Sequence, residues 1–175
     1  HQHNPNVAKM AERGSGVHLE ISTSADRVTV TYRSMRDAAP AFGWIAGPST
    51  IAVTVDDFEA SISHENGDVR IWDGETVREI IPGEDSVAEF TLPATQAPRT
   101  VRIWLPQNCP VEIVSLDANA QWCAVDDSPR KKWVHYGSSI SHCEDASGPL
   151  GVWPVAASRK IDFEIYNLGL SGCAN

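Results

Sequence analysis

The chain has 175 residues, 42% of them hydrophobic and 21% charged, a balance that excludes a disordered tail or low-complexity scaffold. Fourteen lysines and arginines against 23 aspartates and glutamates give a net charge of -9, which repels phosphate backbones and sets nucleic acid aside as a partner. No run approaches the roughly 20 consecutive apolar residues of a membrane helix, so no membrane partner is expected.

The first residues, His1 to Asn6, lack a charged-then-apolar signal architecture, and residues 1–14 are set aside as a lead or tag remnant. From residue 15 to about 125 the dominant signal is alternation at period 2. Val17, Leu19 and Ile21 alternate with polar neighbours, as do Val28, Val30 and Tyr32. Ile51, Val53 and Val55 form a third run, and Val101, Ile103 and Leu105 a fourth. Shorter candidates span residues 69–72, 77–81, 87–92 and 111–116, separated by turn residues such as Asp73-Gly74, Pro82-Gly83 and Pro106-Gln107-Asn108. Seven or eight short strands without a helical stripe imply a β-sandwich of jelly-roll or related type. Asn66-Gly67 reads as a tight hairpin turn with His64 and Glu65 at its end, a solvated turn rather than a catalytic one. Trp72 and Trp104 alternate with the aliphatics of their strands and are expected to face away from the sandwich core. There they either pack under a neighbouring domain or second layer, or offer a sugar a stacking surface.

Residues 126–132, Asp-Asp-Ser-Pro-Arg-Lys-Lys, read as a linker, and beyond them the pattern changes. Trp133 to Tyr136 is a short apolar strand running into Gly137-Ser138-Ser139-Ile140. Helix-compatible sequence resumes at Pro154 to Lys160, with proline tolerated in a first turn. A second strand, Ile161 to Tyr166, runs into Asn167-Leu168-Gly169-Leu170-Ser171-Gly172. The spacing of about 30 residues suits a strand–helix–strand unit with parallel strands. A right-handed crossover between neighbouring strands then brings Ser138 and Ser139 beside Gly169, Ser171 and Gly172. Backbone N–H groups at such turns can stabilise an anion or an oxyanion beside a serine nucleophile. From the spacing alone, acyl chemistry, anion binding and a purely structural turn all remain open. Gly-x-Gly-x-x-Gly is missing and no Gly-Lys-Ser/Thr follows, which sets dinucleotide and P-loop chemistry aside.

Residues 133–141, Trp-Val-His-Tyr-Gly-Ser-Ser-Ile-Ser, resemble the first sequence block of the SGNH, or GDSL, hydrolases, and residues 167–172, Asn-Leu-Gly-Leu-Ser-Gly, resemble the second, Asn-x-Gly-x-x-Gly. Residues 148–157, from Gly148-Pro149 through Trp153-Pro154 to Ala157, are similar to the first helix region of bacterial members. The resemblance implies a β-sandwich domain over 15–125 followed by the first β-α-β portion of an α/β catalytic domain over 133–175. It also implies an esterase or O-acyltransferase that works through an acyl-enzyme. Ser139 would be the nucleophile, and the backbone N–H groups of Ser139 and Gly172 the oxyanion donors. Ser138 stands where many members have Asp, which makes it a decoy nucleophile. His142, three residues past Ser139, is expected to be a surface or hydrogen-bonding histidine rather than the base. The family's base, its orienting Asp and a third-block Asn are not found in these residues, so the chain by itself is expected to be inactive until joined by the remaining C-terminal part of the domain.

The donor implied is an acyl ester or thioester and the acceptor water, a sugar or a natural-product hydroxyl, with no cofactor required. Alternatives are a carbohydrate-binding module using Trp72 or Trp104, and a metal site at His135, His142 and Cys143. Cys109, Cys123, Cys143 and Cys173 form no Cys-x-x-Cys pair. Free thiols in a reducing, cytoplasmic compartment are expected, with two bridges in a secreted protein as the other possibility.

Overall fold

A computed structural model describes residues 5–126 and 128–173. Residues 1–4 of the expected lead, Asp127 of the expected linker and the last two residues lie outside them. Eleven strands build a β body: β1 (His18–Thr23), β2 (Arg27–Ala39), β3 (Trp44–Ile45), β4 (Ser49–Val55), β5 (Phe58–His64), β6 (Asp68–Trp72), β7 (Val77–Ile81), β8 (Ser86–Thr91), β9 (Arg99–Trp104), β10 (Val111–Ala118) and β11 (Trp122–Ala124). One sheet runs β11-β1-β9-β4-β5; the other runs β10-β2-β6-β7, with β3 and β8 also paired to β2.

The inward residues of both sheets meet in one core. Ile21, Ile51, Val53, Val101 and Ile103 come from the first sheet, and Val28, Val30, Tyr32, Ala88 and Phe90 from the second. Period-2 alternation is the cause: along β8 burial alternates strictly between buried Ser86, Ala88 and Phe90 and exposed Val87, Glu89 and Thr91. β4 departs from that pattern, for all seven of its residues are buried. One of its faces meets the other sheet while the second is roofed by the C-terminal residues.

Those residues form β12 (Lys131–Gly137), α2 (Ser139–His142), α3 (Trp153–Lys160) and β13 (Phe163–Gly169). β12 and β13 pair in parallel from Lys131↔Phe163 to Gly137↔Gly169, the strand–helix–strand arrangement that the sequence implied. Pro154 lies in the first turn of α3, where its missing N–H costs no intrahelical bond. Val152, Val155 and Ile165 pack on Ala52 of β4 and on Trp104, forming a second apolar core between unit and body.

Two expectations are corrected. β5 and β6 do not form a hairpin: β5 pairs with β4, whereas β6 pairs with β2 and β7, so Asn66-Gly67 carries the chain from one sheet to the other. Gly67 sits at φ 97° with its Cα against Ser34, where a Cβ would fall 2.3 Å from the Ser34 hydroxyl oxygen. Nor are residues 5–14 a detached lead. They form α1 (Pro5–Ala11) and a turn whose Arg13 is 7% exposed and pairs with Asp37 of β2 at 2.8 Å and with Glu144 beyond α2.

Candidate active site

The end of β12 and the end of β13 meet at the register pair Gly137↔Gly169. Both glycines are required by a close approach of α2. A Cβ on Gly137 would lie 2.1 Å from the Ser141 hydroxyl oxygen, and one on Gly169 would lie 2.6 Å from the Ser141 backbone. The turn after β13 is stitched to the turn after β12, because the Leu170 N–H donates to the Gly137 carbonyl at 3.2 Å. Asn167 completes the joint: its amide donates to the Ser141 carbonyl at 2.8 Å and to the Ser15 hydroxyl at 3.0 Å. Its own carbonyl oxygen receives the Gly169 N–H at 3.0 Å. The Asn-x-Gly spacing thus has a mechanical meaning, since one side chain fixes its own turn and the neighbouring helix.

Within this joint the three serines differ. Ser139 is the first residue of α2 and is exposed, and its N–H has no intrahelical acceptor. Ser138 is half-buried in extended conformation just before the helix and makes no capping bond. Ser141 is 6% exposed and its Oγ lies 2.8 Å from His135 Nε2, a serine–histidine pair that no motif announced. Buried against Gly137, that hydroxyl has no approach for a substrate carbonyl and serves to pin α2 onto β12. Gly172, on the adjoining turn at φ 70°, is exposed and has open space around its Cα.

His142 is fully buried, not at the surface. Its Nδ1 receives the Ser171 N–H at 3.4 Å, which leaves Nε2 to donate to the Gln107 carbonyl at 2.8 Å. Both ring nitrogens are therefore consumed in joining α2 to the second turn and to the β body, and neither is free to deprotonate Ser139. The proposed ligands His135, His142 and Cys143 are each committed separately, the Cys143 thiol to the Ile140 carbonyl at 2.9 Å. They do not gather around a common point among the described residues.

A different cluster brings His18, Glu20 and Glu164 within 4.8 Å of one another. Arg130 reaches both carboxylates and Arg102 reaches Glu20 at 2.6 Å, so guanidinium groups already supply the positive charge that a metal would bring. Burial pushes the His18 imidazole below its ordinary value against the pull of Glu164, and its ring stacks on Trp104 at 4.2 Å. Arg130 thus anchors residues read as a linker. Arg13, Ser15, Arg130 and His18 were all missed in the sequence, because each acts through partners far along the chain.

The two tryptophans part company. Trp104 is 1% exposed, roofed by Val152 and Val155, with its indole N–H donating to Thr54 Oγ1 at 2.9 Å. Trp72 donates to Asp37 at 2.7 Å while the Lys9 ammonium covers its ring at 3.4 Å. Trp104 presents no open face to a sugar, whereas Trp72 is half-buried and lines a cleft with Asp37, Trp44 and Glu75. All four cysteines are unpaired, and burial pushes the Cys109 thiol up to about 12.

With this geometry in view, the chain can be set beside known proteins. No protein-family model matches it, and comparison with curated proteins returns no match. Solved structures do match its fold. It superposes on the salicylyl-acyltransferase SsfX3 from a tetracycline biosynthetic pathway with a TM-score of 0.66 at 22% identity, over 92% of this chain and 41% of that one. It also matches a GDSL-like lipase from Bacteroides ovatus, with a TM-score of 0.67 at 17% identity over 98% of this chain and 48% of that chain. A third match is a family two carbohydrate esterase from Clostridium thermocellum, solved with a cello-oligosaccharide, with a TM-score of 0.58 at 12% identity over 91% of this chain and 46% of that chain. The chain shares its fold with part of esterases and acyltransferases, and it spans less than half of each of these relatives.

Proposed function

We propose that this chain supplies the nucleophile end of a serine-dependent acyl-transfer site. Ser139 attacks the carbonyl of an ester or thioester, the backbone N–H groups of Ser139 and Gly172 receive the developing oxyanion, and collapse of the tetrahedral intermediate breaks the C–O or C–S bond, releasing the alcohol or thiol and leaving an acyl-enzyme on Ser139. Water or the hydroxyl of a sugar or natural product then takes the acyl group. The observation that carries this reading is the joint itself: an exposed serine at the start of α2, held beside the Gly172 turn by Asn167, His142 and the Gly137–Leu170 bond. The fold shared with acyltransferases and esterases supports the same class of chemistry.

A serine without a base is a weak nucleophile at neutral pH, and His142 and His135 are both bound elsewhere. In this reading the base is a group other than these two histidines.

A fluorophosphonate probe tests the assignment on the protein as its own cells make it. Labelling is expected in the parent and in Ser138→Ala, and lost in Ser139→Ala. Labelling that persists in Ser139→Ala overturns the assignment.

A further inference from the structure

Among the described residues, two hydrogen bonds tie the turn of residues 170–173 to its surroundings. The Leu170 N–H donates to the Gly137 carbonyl at 3.2 Å, and the Ser171 N–H donates to His142 Nδ1 at 3.4 Å. The second is the one next to Gly172. The Cys173 N–H stays within the turn, on the Leu170 carbonyl, and Gly172 is exposed with open space around its Cα. Lacking packing of its own, Gly172 takes its place from Ser171, and the planar peptide between them passes that placement to its N–H.

The partners of the His142 ring also fix its protonation. Nε2 lies 2.8 Å from the Gln107 carbonyl, which can only accept, so Nε2 carries the proton. The Ser171 N–H can only donate, so the facing Nδ1 keeps its lone pair. Together they select the neutral Nε2–H tautomer, and an imidazolium would set N–H against N–H at Ser171. The ring is fully buried, so losing either partner strands a polar nitrogen away from solvent.

The far end of this connection lies in the β body. Gln107 follows β9 and is 2% exposed, and its own Nε2 donates to the Ala146 carbonyl at 2.8 Å. The preceding Pro106 carbonyl receives the Gly14 N–H at 3.1 Å. Ser15 adds a second link, donating to the His142 carbonyl at 2.7 Å while accepting from the Asn167 amide. A continuous path therefore runs from the body, through the Gln107 carbonyl and the imidazole, to the Ser171 N–H beside Gly172.

We propose that His142 is a positioning residue for acyl transfer, through which the β body sets the place of the oxyanion turn. Resting on the assignment of Ser139 and Gly172 above, this makes the body a working part of the site rather than its neighbour. The oxyanion exists in the transition state and not in the bound ester, so a displaced Gly172 N–H slows the chemical step and leaves substrate binding alone.

Hydrolysis of p-nitrophenyl acetate by the natural protein, read together with the 15N resonances of its histidines, tests this. In the parent, His142 is expected to show a protonated Nε2 and an unprotonated Nδ1. The Nδ1 and Ser171 amide resonances should both shift when a fluorophosphonate occupies the site. His142→Gln can still donate to the Gln107 carbonyl but brings no acceptor to Ser171, and its kcat should fall about a hundredfold with KM within about twofold. His142→Asn sets a carbonyl oxygen near the place of Nδ1 and should recover about tenfold of that loss. A parent-like kcat in His142→Gln, a change confined to KM, or equal losses in the two folded variants overturns the proposal. So does a protonated Nδ1 in the parent, or resonances that stay still on labelling, neither of which needs a variant to fold. Turnover that survives Ser139→Ala instead overturns the nucleophile assignment, which keeps the two failures apart.

Discussion

In the β body, strands from two sheets turn apolar side chains toward each other across one core, with scattered ones such as Val77, Ile80, Val87 and Val114 left outside, whereas β12 and β13 carry apolar side chains on both faces. Ile165 packs inward on Trp104, yet Val134, Tyr136, Tyr166 and Leu168 line the opposite face and are between 45% and 66% exposed. Parallel strands are ordinarily covered on both sides. The body buries a continuous core between its own two sheets, while the C-terminal unit is buried only where it meets the body. The proposed nucleophile stands at the end of this half-covered sheet.

The largest expected effect comes from removing the shared wall. Trp104→Ala should cost about 3–5 kcal/mol in denaturant unfolding, the range for a fully buried aromatic. It should also loosen the C-terminal unit first, seen as faster amide exchange in β12 and β13 than in β8. Equal loss of protection in both regions would mean that they unfold as one piece and would blunt the contrast.

A smaller effect concerns the charge cluster under α1. Burial alone would raise the Asp37 carboxyl, but hydrogen bonds from Arg70 and Trp72 and the charges of Arg70 and Arg13 hold it below its usual value near 3.8. Because the folded value is the lower one, its contribution is fully present above the unfolded carboxylate range. It drains away as pH falls through the folded value. Asp37→Asn should therefore lower stability at pH 7 and flatten its decline below about pH 4. An unchanged acid limb would remove Asp37 from the account.

The smallest effect is expected on the open face. Tyr136→Ser and Leu168→Ser should change the stability of this chain by no more than about 0.5 kcal/mol, since exposed side chains away from special contacts rarely matter more. A loss of several kcal/mol would show that the face is already covered.

These regions also differ in how much of them the sequence disclosed. Strands such as β4, β8 and β9 were legible because one-sided burial writes a period of 2 into the residues. The parallel unit was legible through its spacing and its two glycine-containing turns. The β5–β6 connection was not, because Asn66-Gly67 has the same local chemistry whether it closes a hairpin or crosses between sheets. Arg13–Glu144 and Arg130–Glu20 span 131 and 110 residues, and no local pattern records such partners. At the candidate site, Ser139 and Gly172 could be named from their motifs. The work of Asn167 and the engagement of both His142 nitrogens required coordinates.

The central claim is that Ser139, rather than Ser138 or the histidine-bound Ser141, carries the acyl group. Brief incubation of the natural protein with an activated acyl ester, followed by acid quench and peptide mass mapping, tests it most directly. The account predicts one acyl group on Ser139 and none in Ser139→Ala. An acyl group mapped to Ser138 or Ser141, or turnover that survives Ser139→Ala, would contradict it.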